Sequence, residues 1–269
     1  MLGRQNKGAV DAHLLTKQYI DHYFQSFHPY WCFIHKGSFD MENETPLLVQ
    51  SMTVIGLWAS GEHSAQTSAV ELHHRLGLAI QDQKEKWDAS EVDGVCSACH
   101  WPIATYQAIL LHIIFSSLLK GRDGVDFRLK PSLDAADSGL LKALVQSCRR
   151  LGLFYYPNML ARYTEADLDS FAWASIEEVK RFNLALYKVC GKVTIAGEGD
   201  RSKVDDDALS LLSTSELQFP LPDNLPLWNA VGKSEWAANT KDERLVFLND
   251  NCEAKWISNF AAILDFLDL

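Results

Sequence analysis

Clusters of positive charge are the first thing this sequence lacks. Its 269 residues carry 25 Lys and Arg against 35 Asp and Glu, a formal net charge of −10, with no dense Lys/Arg run. Holding a phosphate backbone needs clustered cations, so direct nucleic-acid contact by this chain is not expected, and no nuclear-import run is visible. Cysteine is sparse as well. The six, at 32, 96, 99, 148, 190 and 252, are scattered, and only Cys96 and Cys99 stand close together. The paired spacings of a structural zinc site are missing. No signal peptide opens the chain, which points to a reducing compartment. Long apolar runs are missing too. Ile103–Leu119 is the longest, but Gln107 and His112 interrupt it, and it is short for a membrane span. Convincing strand-like alternation and internal repeats are both absent. The expectation is a soluble, intracellular, all-α protein.

Catalytic signatures are absent in the same way. The chain contains no G-x-S-x-G, no P-loop and no G-x-G-x-x-G, and Glu62-His63 lacks the second His of H-E-x-x-H. His73 and His74 are adjacent, so on a helix they diverge and cannot chelate one ion together. The run Asp205 to Asp207 suits a helix start and solvation better than a cation site. Cys96-Ser97-Ala98-Cys99-His100 has the C-x-x-C-H spacing of covalent haem attachment. That chemistry also needs export or mitochondrial maturation and a second axial ligand, and the sequence offers neither. The default is a polar loop whose spacing arose by chance, and a redox-sensing thiol pair at Cys96 and Cys99 stands ahead of haem as the functional alternative. No enzyme, no metal site and no cofactor is expected in this chain.

What is present is helix, rich in large side chains: the composition is 47% hydrophobic, with 13 Phe and 8 Trp. A chain of this length buries a sizeable core. Asp11 is placed to cap a first helix in which Tyr19, Tyr23 and Phe27 recur every four residues, with Phe24 beside them, until Pro29 ends it. An aromatic link with Phe33, Ile34, His35 and Phe39 follows. Thr45-Pro46 predicts an N-cap with proline at the first helical position, and Gly61 a C-terminal stop. The helix between them is apolar nearly all round. A third helix is expected from 64 to 87 with Val70, Leu72, Leu76, Ala79 and Ile80 inward. A second strongly apolar helix spans 101–120. Another runs from about Asp134 to Leu151, with Leu140, Leu141, Leu144, Val145, Cys148 and Leu151 as its stripe and Gly152 as its stop. Thr164 with Asp167 opens a further helix to Gly191, where Glu177, Glu178, Lys180 and Arg181 read as a structural ion-pair patch. Three prolines then make the stretch around Phe219 to Pro226 extended or turned, and 244–269 closes with one or two helices.

Ordered blocks of this chain resemble the regulatory middle homology region of fungal-specific transcription factors, the region that follows a zinc-cluster or zinc-finger DNA-binding module. An aromatic helix runs into a His-Pro turn and then Ile34-His35-Lys36-Gly37-Ser38-Phe39, similar to the family's hydrophobic-His-x-x-x-Phe segment. Gln107-Ala108-Ile109-Leu110-Leu111 is similar to its Gln-Ala-Leu-Leu-Leu element, and CRRLGLF to its Ala-Arg-x-x-Gly-Leu-Phe helix end. Trp173, Ile176, Glu177, Glu178 and Arg181 fall on a family helix. Leu221, Pro222, Trp228, Glu235 and Trp236 fall on its Leu-Pro…Trp…Glu-Trp segment. The resemblance covers about residues 15–240 in five blocks.

It implies a single large all-α regulatory domain over 11–240 with a helical extension at 241–269. The implied function is control of RNA polymerase II transcription in the nucleus. DNA contact, and any zinc, would belong to a module not expected within this chain. The implied partners are a second copy of the chain, transcriptional co-regulators and a small-molecule effector, with no membrane. Two other readings stay open: a stand-alone helical small-molecule binder or accessory protein, and a truncated competitor that dimerises with a full-length factor. Tyr23, Phe24, Trp58, Tyr106, Phe115 and Trp173 are core by default; an effector pocket, if the helices enclose one, would be lined by them.

Overall fold

The computed structural model describes residues 13–90, 101–119, 132–164, 168–192, 194–195, 211–240 and 253–260. Asp11, Cys96, Cys99, His100, Gly121, Asp167 and the run at 205–207 lie outside them. The described residues are predominantly helical, as the apolar periodicity requires, with irregular links such as 28–45 between the helices. The strand pairing among them is a two-residue parallel one of β1 (Ser132–Leu133) with β2 (Thr194–Ile195).

The chain divides into two compact units. The first takes residues 1–32, 40–86 and 104–130, and the second takes 33–39, 87–103 and 131–269. In the first unit, α1 is α-helical over 13–22 and then widens into a π-helical turn, Tyr23–Phe27. Tyr23, Phe24 and Phe27 are all buried there, and their rings lie 5.2–5.3 Å apart. Inserting one residue into the turn rotates the aromatic stripe, so neighbouring aromatics share one buried face.

Helix α2 (Pro46–Ala59) starts where the sequence predicts, but by a different device. Thr45 is extended and Pro46 occupies the first turn, yet the Thr45 hydroxyl caps nothing. Gly61 at φ 74° ends it, and its N–H bonds the Trp58 carbonyl. α2 packs on α1 and on α3 (His63–Asp82). The α1 crossing is close because residue 56 has no side chain: a Cβ there would stand 1.9 Å from the Tyr19 carbonyl oxygen.

Two expectations for α3 are corrected. The helix breaks at Gln83 before a four-residue α4 (Lys84–Trp87). Val70 is exposed, and Leu72 and Ala79 are only half-buried. The inward stripe is Ala65, Ala69, Leu76 and Ile80, spaced by fours and one seven, which leaves Val70 a full step off the face. Helix α5 (Ile103–Leu119) is buried from Tyr106 to Leu118, polar side chains included. Its Phe115 meets Trp58 of α2 edge-on, and its His112 stacks on His73 of α3 at 4.0 Å.

The second unit is built on α6 (Ala135–Leu151) and α8 (Asp169–Lys192), with a short α7 (Tyr156–Leu160) between them. Asp134 caps α6 by accepting the Asp137 N–H at 2.8 Å, a role not read from the sequence; Gly152 at φ 71° closes the helix, as predicted. The predicted α6 stripe is buried through Cys148, and Leu151 is half-buried.

After α8 the described chain alternates irregular segments with short helical turns. Gln218 bridges Tyr155 and Pro220 bridges Trp256, so residues 217–220 lie between the α6–α7 corner and the 256–258 turn. Arg149 anchors the same segment through both carboxylate oxygens of Glu216 and the Leu211 carbonyl. Two short helices follow, α9 (Leu225–Trp228) and α10 (Lys233–Asn239). Of the stretch 244–269, where one or two helices are expected, only residues 253–260 are described, and they form two 3₁₀ turns.

Candidate functional site

The residues that carry the sequence resemblance meet on α8. Trp173 and Ala174, near its start, form one apolar cluster with Leu227 and Trp228 of α9, and half-buried Trp236 of α10 covers it. One turn further along α8, Glu177 is 2% exposed, and it is engaged three times. Lys180 Nζ donates to it at 2.8 Å, the Arg181 guanidinium lies 3.5 Å away, and the Asp223 backbone N–H donates at 3.1 Å. Lys180 is itself buried and sits 5.1 Å over the Tyr156 ring. The ion-pair patch read from the sequence is therefore interior. Three charged side chains are held out of water, and their cost is offset only because each is paired.

Arg181 lies over Trp228, with its Cζ 4.3 Å from the ring centroid. His35, from the aromatic link, packs on the same indole at 4.8 Å and reaches Trp236 at 6.4 Å. Its backbone N–H donates to Glu178 at 3.0 Å, and its Nδ1 is hydrogen-bonded to Ser38 Oγ at 2.9 Å. His35 is a hydrogen-bonded turn residue. Gly37 is fixed by the same packing, since a Cβ there would stand 2.5 Å from the Ala230 carbonyl oxygen. Residues from three sequence blocks, around 35, 177 and 228, thus form one contact network. The sequence shows them as family positions, but long-range adjacency has no local signal.

The six aromatics put forward for a pocket divide between the units. Tyr23, Phe24, Trp58, Tyr106 and Phe115 belong to the first and Trp173 to the second. Tyr23 touches Phe24, and Trp58 touches Phe115; all but half-buried Trp58 are buried. The Cys96–Cys99 pair lies outside the described residues. Cys148 and Cys190 are buried thiols. Burial pushes both up, Cys190 to about 12, so neither supplies a thiolate nucleophile. Among the described residues, no group of three His, Cys, Asp or Glu is placed to hold a metal, and no helix is long and apolar enough to cross a membrane.

The chain is 26% identical over 235 residues to zinc finger protein C11D3.17 of Schizosaccharomyces pombe, covering 85% of this chain and 34% of that protein. It is 29% identical over 100 residues to zinc finger protein klf1 of the same organism, covering 37% of this chain and 11% of the relative. The chain therefore spans about a third or less of the length of these relatives. No solved structure matches. Residues 20–153 match the profile of the fungal specific transcription factor domain, a regulatory domain, and the match ends at Leu153, whose N–H bonds the Cys148 carbonyl at the end of α6. Over those residues the chain belongs to the fungal specific transcription factor domain family.

Proposed function

We propose that the chain is the effector-response region of a fungal transcription factor that controls RNA polymerase II transcription in the nucleus. The carrying observation is the family match over 20–153. In support, the blocks beyond that match (Trp173 to Arg181, and Trp228 to Trp236) pack with His35 from inside it. DNA contact is assigned to a zinc module outside this chain, because a net charge of −10 without basic clusters suits no phosphate surface. The two relatives are zinc finger proteins by name, which supports the same division of labour. The region acts by presenting or masking a surface for co-regulators, or by pairing with a second copy, when a small effector binds. It carries no cofactor of its own.

The test is to fuse this chain to a heterologous DNA-binding domain and measure a promoter reporter in fungal cells, with the mass of the purified chain recorded alongside. Thermal unfolding against a metabolite library then seeks the effector, since a ligand that prefers the folded state raises the melting temperature. Reporter output that changes with the fusion, and changes again with a stabilising metabolite, is the expected result. A fusion that leaves the reporter at background under every condition refutes the proposal.

A further inference from the structure

The tryptophans of the second unit are not equally satisfied. Trp101 donates its indole N–H to the Leu151 carbonyl at 3.1 Å. Trp228 is 1% exposed, among the largest fully buried side chains, and its Nε1 has no acceptor. An indole N–H is a donor only, and burying it without an acceptor forfeits the hydrogen bond it makes to water in the unfolded chain. The surroundings of that donor are specific. Arg181 covers one part of the ring at 4.3 Å and His35 another at 4.8 Å. Trp173 and Leu227 complete the same cluster. The carboxylates nearby have their own donors: Glu177 receives Lys180, Arg181 and the Asp223 N–H, and Glu178 receives the His35 N–H. The outermost wall is Trp236, which meets Trp173 at 5.4 Å from the seven-residue α10. Every other residue of α10 is exposed, so Trp236 is its one apolar anchor, joined by hydrogen bonds from Asn239 Nδ2 to the Pro226 carbonyl at 3.4 Å and from the Val231 N–H to Glu235 at 2.7 Å.

We propose that this cluster is the effector site of the domain, and that its ligand is a small, flat, apolar molecule bearing one carbonyl or carboxylate oxygen. The oxygen accepts the Trp228 indole N–H. The flat body takes the place that Trp236 holds against Trp173 and His35, with α10 shifting outward to admit it. Each wall selects against other classes. A cation brings no acceptor to the indole and meets the Arg181 guanidinium, while a sugar would leave its hydroxyls against three indole faces. The inference rests on the effector-response reading above and adds a place and a chemical class to it.

Indole N–H resonances of the ¹⁵N-labelled full chain report on this directly, with Trp228→Phe assigning the Trp228 signal. In the free chain, that proton should resonate upfield of the hydrogen-bonded Trp101 proton. The probes are 2-naphthoate and its methyl ester, titrated to millimolar concentration with thermal unfolding in parallel. The expected result is a downfield shift of the Trp228 proton by at least one probe, a higher melting temperature, and no change at Trp101. Trp256, whose Nε1 also lacks an acceptor but whose ring packs on Tyr155, should not respond. Arg181→Gln should weaken the naphthoate response and spare that of the ester if the carboxylate is the true group, and affect both alike if a carbonyl suffices. A Trp228 proton already downfield and protected in the free chain means an ordered water only, and overturns the proposal. So does a Trp228 signal unmoved by both probes. A probe that raises the melting temperature without moving Trp228 also overturns this site, yet leaves the effector-response reading standing.

Discussion

Adding a single methyl group at Gly56 should destabilise the first unit about as much as a mild core deletion, although it removes no contact. The Cβ of Gly56→Ala would lie 1.9 Å from the Tyr19 carbonyl oxygen, 2.6 Å from its carbon and 3.1 Å from its Cα. These are backbone atoms of a helix, so no rotamer change relieves the clash. Reaching ordinary contact requires α1 and α2 to separate by about 1.5 Å, and a gap of ~1 Å already forfeits up to about half of a packing contact's dispersion energy. Overpacking of this kind costs ~1–3 kcal/mol, and a rigid backbone neighbour places Gly56 at the upper end. Alanine returns ~1 kcal/mol of helix propensity, leaving a net loss of about 2 kcal/mol. At roughly 2–4 °C per kcal/mol, the melting temperature should fall by about 4–8 °C. Two other helical glycines calibrate the measurement. At Gly139 a Cβ meets nothing within 4 Å, so Gly139→Ala should gain ~1 kcal/mol. At Gly77 it meets only the His112 imidazole, at 3.1 Å, and Gly77→Ala should fall between the two. Circular dichroism melts of the three variants decide the matter. If Gly56→Ala melts at or above Gly139→Ala, the close α1–α2 crossing is wrong.

Glu177→Gln leaves Lys180 and Arg181 buried around a neutral amide, and should cost about 3 kcal/mol in urea unfolding, the scale for breaking a buried pair; pairing it with Lys180→Met should recover part of the loss. For Glu216, burial works to raise the carboxyl, but hydrogen bonds from Arg149 and Ser213 outweigh it and hold the group below its ordinary range. Its folded-state value is depressed, so its contribution is present above the ordinary carboxylate range and fades as pH falls through the folded value. Glu216→Gln should therefore be less stable than the parent by ~1 kcal/mol near neutrality, with the gap closing in acid unfolding curves below about pH 4. Asp134→Ala removes the side chain that accepts the Asp137 N–H and should cost ~1 kcal/mol, visible as faster amide exchange in the first turn of α6.

Local features were legible where their cause is local. Asp134 and Gly152 bound α6 in sequence and in space because a cap and a left-handed turn depend only on nearby backbone. Pro46 and Gly61 did the same for α2, although the Thr45 side chain contributes no cap. The π turn at Tyr23–Phe27 was not legible. The four-residue aromatic spacing already satisfies an α-helix, and only packing requires the extra residue. Val70 was misplaced because a stripe with alanines at 65 and 69 carries a weaker apolar signal than the valine beside it.

The site was legible as a set of family positions but not as chemistry. Glu177, Lys180 and Arg181 fit the i, i+3 and i+4 spacing of a solvated helix face, and nothing within the helix distinguishes that from an interior one. The difference comes from elsewhere in the chain. Asp223 supplies a third donor to Glu177, Trp228 covers Arg181, Tyr156 covers Lys180, and His35 closes the group from a link almost 150 residues earlier. A buried charge is tolerated only when such partners arrive together, so these segments are constrained jointly. That joint constraint gives a physical reason for a histidine in an aromatic link, an acidic pair on a helix and a tryptophan after a proline-rich stretch to travel in one sequence pattern. It also makes the pattern sensitive to change, because moving any one of the four segments alters the electrostatic balance of the other three.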